Sequence, residues 1–222
     1  MTNGARAFLL LLAGLAVLAL AWSPLPAALT RGPFAGHMVG HMLLVAVAAP
    51  LLAAWVARTL PAVTTRMAAI CPPVPASLIE LLLVWGWHAP AMHQAARAGG
   101  AAFLAEQASF LIGGFWLWAT ALAREQDGRL ARGPEGILAL LLTATHMTLL
   151  GVLLALAPRA LLAHDHGGVG GSPLVDQELG GVVMLAMGGI AYLAGGLLLL
   201  AELLQAPGRT DRQPASGSGG CA

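Results

Sequence analysis

The sequence predicts an all-α protein, a polytopic transmembrane bundle of about six helices, and three observations carry that expectation. Of its 222 residues, 58% are hydrophobic and 9% charged, and the mean hydropathy is +0.79, outside the composition of soluble domains. The apolar residues fall into six runs, each near the ~20 residues a helix needs to cross a bilayer core. The runs are continuous rather than alternating, which argues against the strands of a membrane barrel.

The first run, residues 7–28, opens like a signal peptide, with Arg6 ahead of a Leu/Ala stretch and small residues at Ala27-Ala28. Its apolar part is long and lacks a clean cleavage pattern, so a retained helix is expected. The second, 36–57, begins within Gly32, Gly36 and Gly40, a spacing of four that gives a small-residue face for close helix approach. The third, 76–93, is entered through the stiff Cys71-Pro72-Pro73-Val74-Pro75 and closes on Trp85-Gly86-Trp87-His88-Ala89-Pro90-Ala91-Met92-His93. Its tryptophans suit a membrane interface, and Pro90 should end or kink the helix near His88. The fourth, 101–123, carries Glu106-Gln107 near its start, where the carboxyl needs a partner or water. The fifth, 136–157, places His146 near mid-membrane, and the sixth, 180–205, is led in by Pro173-Leu174-Val175-Asp176-Gln177-Glu178-Leu179.

Every cationic side chain apart from histidine is an arginine. With the N-terminus in the cytoplasm, Arg6, Arg58, Arg66, Arg124, Arg129, Arg132, Arg209 and Arg212 lie inside, against Arg31, Arg97 and Arg159 outside. That bias places both termini in the cytoplasm. Residues 1–206 form one membrane domain, and 207–222, rich in Gly, Ser, Pro and charge, read as a disordered cytoplasmic tail. A net charge of +1 without a basic stripe argues against nucleic acid as a partner. Cys71 and Cys221 both fall on the cytoplasmic side without a CxxC motif, so thiol exchange is not expected.

The candidate chemistry lies in seven histidines, all at the outer side or at mid-membrane, most beside a methionine: His37-Met38, His41-Met42, Met92-His93 and His146-Met147, with His88, His164 and His166. Imidazole and thioether are ligand types that copper favours, Met suiting Cu(I). His37 and His41 stand one turn apart on one helix face and can clamp a single metal. His93 faces away from His88 in a regular helix, so the two need not share an ion. His146 is either hydrogen-bonded to another helix or a ligand, since polar groups at that depth are costly. Asp176 reads either as a helix cap or, with Gly180, Met184 and Met187, as a stripe running from hard to soft ligands. His164-Asp165-His166 lies in a Gly-rich outer loop that either recruits a cation weakly or is simply polar.

Gly40-His41-Met42-Leu43-Leu44, Trp87-His88-Ala89-Pro90 and Asp176-Gln177-Glu178-Leu179-Gly180-Gly181, in this order and spacing over residues 30–200, resemble the CtaG family of assembly factors for caa-type cytochrome c oxidase. The resemblance implies a multi-pass protein of the bacterial inner membrane that supports oxidase maturation at the copper-delivery stage. It carries over His37, His41, His88, His146, Asp176 and Gln177 as the motif residues. Two departures stand out. Many members have a histidine where this chain has Gln107, and members often carry a further helix, so the count of six is open to seven.

The expected metal site is therefore His37, His41 and His88, with His146 deeper, Asp176 at the mouth, and Met184 or Met187 as soft ligands, holding copper for an oxidase subunit. Cytochrome c oxidase subunits and the lipid bilayer are the expected partners, and self-association into a homo-oligomer is a further expectation. A protein holding b-type haem between histidines of different helices is the alternative. A metal permease ranks last, because the cytoplasmic half offers little polar beyond Glu80. No nucleophile triad, phosphate loop or paired carboxylate site is present, so no enzymatic turnover is expected.

Overall fold

Proline positions divide the chain. In the computed structural model, which describes residues 2–30, 32–125, 130–162 and 172–205, the helices are α1 (Asn3–Ala21), α2 (Leu25–Leu29), α3 (Pro33–Met42), α4 (Ala49–Thr59), α5 (Pro61–Ile70), α6 (Pro73–Trp87), α7 (Pro90–Arg97), α8 (Gly100–Ala121), α9 (Gly133–Ala155) and α10 (Pro173–Gln205). Helices α3, α5 to α7 and α9 each carry a proline in the first two positions, where its missing N–H costs nothing, and α10 opens on one. No strand occurs among the described residues beyond an isolated bridge between Arg124 and Leu130. His164 and His166, the tail 207–222 with Cys221, Arg31 and Arg129 lie outside the described residues.

The protein is an all-α polytopic bundle. Among the described residues five helices are long and apolar enough to cross a membrane, counting α3 and α4 as one, and the count is six where α5 and α6, bent by 75°, are taken as one span. The third run breaks where Pro90 predicts, near His88. It is not one helix to residue 93: α6 stops at Trp87 with His88 as its cap, and α7 starts afresh at Pro90. Proline 90 cannot donate to the carbonyl of Gly86, and its ring opposes helical continuation.

Between α3 and α4 the chain makes a wide π turn, Leu43–Ala48, which no apolar pattern signals. Its cause is Pro50, which in an α-helix would have to donate to Ala46. Widening the helix lets the Ala49 N–H reach back to the Leu44 carbonyl instead. The core lies where this kinked span meets α6, α8, α9 and α10, around Met38, Met42, Phe110, Leu117, Leu140, Met147, Met184 and Tyr192. Helix α1 packs on α4 and the π turn at the periphery, with Phe8, Leu9, Leu12 and Leu15 exposed as a lipid-facing surface.

Helices α9 and α10 are in backbone contact. A Cβ on Gly181 would stand 2.5 Å from the Ala155 nitrogen, and one on Gly151 would stand 2.8 Å from that of Leu185. Neither backbone can step aside without parting the helices. Gly181→Val should therefore lower stability by about 1–3 kcal/mol or more, read from thermal unfolding in detergent. An unchanged unfolding midpoint would contradict this packing.

Candidate metal centre

The site starts from an unfinished helix end. Helix α3 begins at Pro33, its N-cap is Gly32, and neither offers a capping side chain, so the first amides of α3 need outside acceptors. Asp176, in the first turn of α10, supplies them: its two carboxyl oxygens accept from the Phe34 and Ala35 amides, each at 2.9 Å. Gly32 is the cap because nothing larger fits. A Cβ there would lie 2.1 Å from the Asp176 carboxyl carbon. Asp176 is thus a cap, but for α3 rather than for its own helix, and both oxygens are spent on that task.

Gln177, the next residue, fastens the α9–α10 connection. Its Oε1 accepts from the Leu161 and Leu162 amides at 2.5 and 2.9 Å, and its Nε2 donates to the Leu154 carbonyl at 3.1 Å. The two adjacent polar residues therefore anchor two different segments. They fix the end of the bundle at which the histidines collect.

His37 and His41 lie on one face of α3 as their spacing predicts, rings near parallel at 14° and 6.3 Å apart. The broken third span brings two more. His88, at the end of α6, places its ring 5.6 Å from that of His41, and His93, on α7, places its ring 5.5 Å from that of His37. Glu106 of α8 completes the group. One donor atom each from His37, His93 and Glu106 lie within 4.8 Å of one another, and His37 Nε2 stands 3.6 Å from Glu106 Oε1. All five side chains are buried.

The nitrogens are disposed to bind. His88 Nδ1 lies 2.7 Å from the Val84 carbonyl. A carbonyl only accepts, so Nδ1 carries the proton and Nε2 keeps its lone pair. That Nε2, both ring nitrogens of His41, and Nε2 of His37 are buried with no hydrogen-bond partner. Such orphans are rare in folded proteins, and a cluster of them points to a ligand. Glu106 is shared: Arg97 Nη2 holds Oε2 at 2.5 Å and Gln107 Nε2 donates to it at 3.1 Å, while Oε1 faces His37.

A cleft of about 710 Å³ reaches His37 and His41 from the side, between α3, α8 and the α1–α2 corner, with Trp22, Arg97, Phe103 and Gln107 on its walls. It is large enough to admit a partner's side chains or a small ligand. The Trp22 indole donates to Gln107 Oε1 at 3.3 Å across its rim. A bare ion or a donor ligand could reach the imidazoles by this route.

The other sequence candidates lie elsewhere. His146 is buried, without a hydrogen-bond partner for either ring nitrogen, and makes none of the ring contacts that join the other four histidines. Met184 and Met187 are on α10. Gly180 of that helix abuts Phe34 and Met38, and Gly188 abuts Met147 and the Met42 sulfur. Met184 falls between these two glycines on the same face, fully buried, and Met187 packs against the core. Met184 thus lies at the α3–α9–α10 seam with Met38, Met42 and Met147, and Met38 and Met42 are on a different face of α3 from His37 and His41.

His93 and Glu106 are the members the motif reading left out. For Glu106 a signal existed: a carboxyl in an apolar helix requires a partner, and Arg97 lies nine residues earlier. For His93 the expected break at Pro90 carries no direction, and its angle to His88 in a regular helix does not show that it meets His37.

A family model described as the cytochrome c oxidase caa3 assembly factor (Caa3_CtaG) matches residues 3–206. No curated protein and no solved structure matches the chain.

Proposed function

The chain belongs to the family of cytochrome c oxidase caa3 assembly factors, and from that premise we propose that it carries copper on the oxidase's behalf at the His37, His93 and Glu106 centre, with His41 and His88 as further ligands. The observation that carries this reading is the convergence of three buried donor atoms within 4.8 Å. A neutral imidazole keeps a lone pair on one ring nitrogen, and buried lone pairs that converge with a carboxyl gain by taking a cation. Imidazole suits copper in either oxidation state, and the carboxyl favours the divalent ion. The reading places this end of the bundle on the periplasmic side, where an oxidase copper domain would meet it, and assigns no turnover.

Arg97 gives the carrier a means of release. Its guanidinium holds the carboxyl that a divalent ion would also claim, so metal entry displaces Arg97, and its return favours departure. A carrier needs that balance, because a site that never lets go delivers nothing. Arg97→Gln is expected to tighten Cu(II) binding by about tenfold, since it removes the competing cation. Equal or weaker binding in competition titrations would argue against displacement.

Haem is the less favoured occupant. His41 and His88 both pack on Phe110, at 3.9 and 6.4 Å between ring centroids, and a porphyrin between them would have to expel it. Anaerobic Cu(I) and aerobic Cu(II) titrations of the detergent-purified chain, with the absorption spectrum taken first, test the proposal. One ion per chain and no Soret band is the expected result; a Soret band or the lack of stoichiometric copper overturns it.

A further inference from the structure

Away from the histidines the bundle buries a second polar group that copper binding does not use. Glu80 of α6 is 1% exposed and Tyr192 of α10 is fully buried. The Ser77 and Thr143 hydroxyls meet at 2.8 Å. Helix α8 comes close at Gly114, where an added Cβ would lie 3.5 Å from Glu80 Oε1 and 3.4 Å from the Val45 Cα.

The chain of contacts begins at the π turn. Because the Ala49 amide turns back to Leu44, the Val45 carbonyl loses its ordinary α-helical donor, and its next one, at position 50, is a proline without an N–H. The Tyr192 hydroxyl fills the gap, 3.2 Å from the Val45 oxygen and 2.6 Å from Glu80 Oε1. A phenol has one proton to give. If it went to an ionised Glu80, the Val45 carbonyl would stay unsatisfied, and a charge would sit in the bundle interior without an ion pair among the described residues. If it goes to Val45, the phenol oxygen can accept from Glu80 only when Glu80 carries a proton. The second arrangement alone satisfies both contacts, and it buries no charge.

We propose that Glu80 is a resident protonated carboxyl that donates to Tyr192, and that this pair, by holding the Val45 carbonyl, fixes the π turn that presents His41 to the metal centre. The turn sets the rotation of α3 against α4, and α4 is itself packed on α1 and α8. Glu80 and Tyr192 are therefore positioning residues, remote from the ion. Their effect on binding rests on the copper reading; their effect on the turn does not.

Three variants of the full chain in detergent separate the roles. Glu80→Gln keeps a donor for the phenol oxygen, whereas Glu80→Leu and Tyr192→Phe break the relay. The infrared spectrum of the wild type at neutral pH should contain a protonated carboxyl C=O band that Glu80→Gln lacks. Hydrogen exchange of the amides in 43–49, followed by mass spectrometry, should match the wild type in Glu80→Gln and run at least about tenfold faster in the other two. Copper affinity should follow the same order. No protonated band, or a Glu80→Gln variant that exchanges as fast as Glu80→Leu, overturns the proposal. Wild-type protein that takes no copper yet keeps the band and the exchange pattern defeats only the copper reading.

Discussion

Replacing His37 and His93 together by alanine should abolish stoichiometric copper binding, weakening it by more than about 100-fold. Loss of a residue that merely orients a ligand costs roughly 10- to 100-fold, and this change removes two direct donors of the three that converge within 4.8 Å. His41 and His88 would remain, 5.6 Å apart by ring centroid, too few to hold the ion without Glu106, which Arg97 would then keep. Oxidase isolated from cells carrying the double variant should be depleted in copper while the variant itself accumulates in the membrane. The same titration on Met184→Leu and Met187→Leu should change affinity by less than about twofold, because Met184 lies in a seam on another face of α3 and Met187 packs against the core. Binding retained in the histidine variant but lost in the methionine variants would move the site to the α3–α9–α10 seam.

Much of this arrangement was legible from the sequence where a period or a local rule governs it. Six apolar runs gave the bundle, the spacing of His37 and His41 gave one shared face, and Pro90 gave the break at His88. What stayed hidden depends on partners distant in the chain. The π turn needs Pro50, which a hydropathy window reads as one more residue of an apolar run. Asp176 was legible as a cap, but the first amide it caps, that of Phe34, lies 142 residues away from it along the chain. His93 joins His37 only because α7 starts afresh after the break, an orientation that no spacing within 76–93 contains. The small-residue spacing of Gly32, Gly36 and Gly40 did mean close approach, to three different neighbours: the Asp176 carboxyl, the Ala27 backbone and the Ala21 carbonyl.

The Asp176 cap is also where a single atom group should matter most to folding. Asp176→Ala would leave the Phe34 and Ala35 amides buried without acceptors, with Asp176 itself only 7% exposed and little water able to replace it. Each stranded donor costs about 1–3 kcal/mol, so a loss of roughly 2–5 kcal/mol is expected. Asp176→Asn retains one acceptor oxygen and should lose about half as much. Gly32→Ala attacks the same contact from the other side, since its Cβ would overlap the carboxyl and force it off the amides. Because both single changes break one interaction, the double variant Gly32→Ala/Asp176→Ala should be scarcely less stable than Asp176→Ala alone. The cap begins the helix that carries His37 one turn further on, so copper affinity should fall with stability in all four variants. Unfolding in detergent, followed by tryptophan fluorescence, gives the comparison directly. Additive losses in the double variant, or an Asp176→Ala protein as stable as the wild type, would mean that the end of α3 is held by something other than this carboxyl.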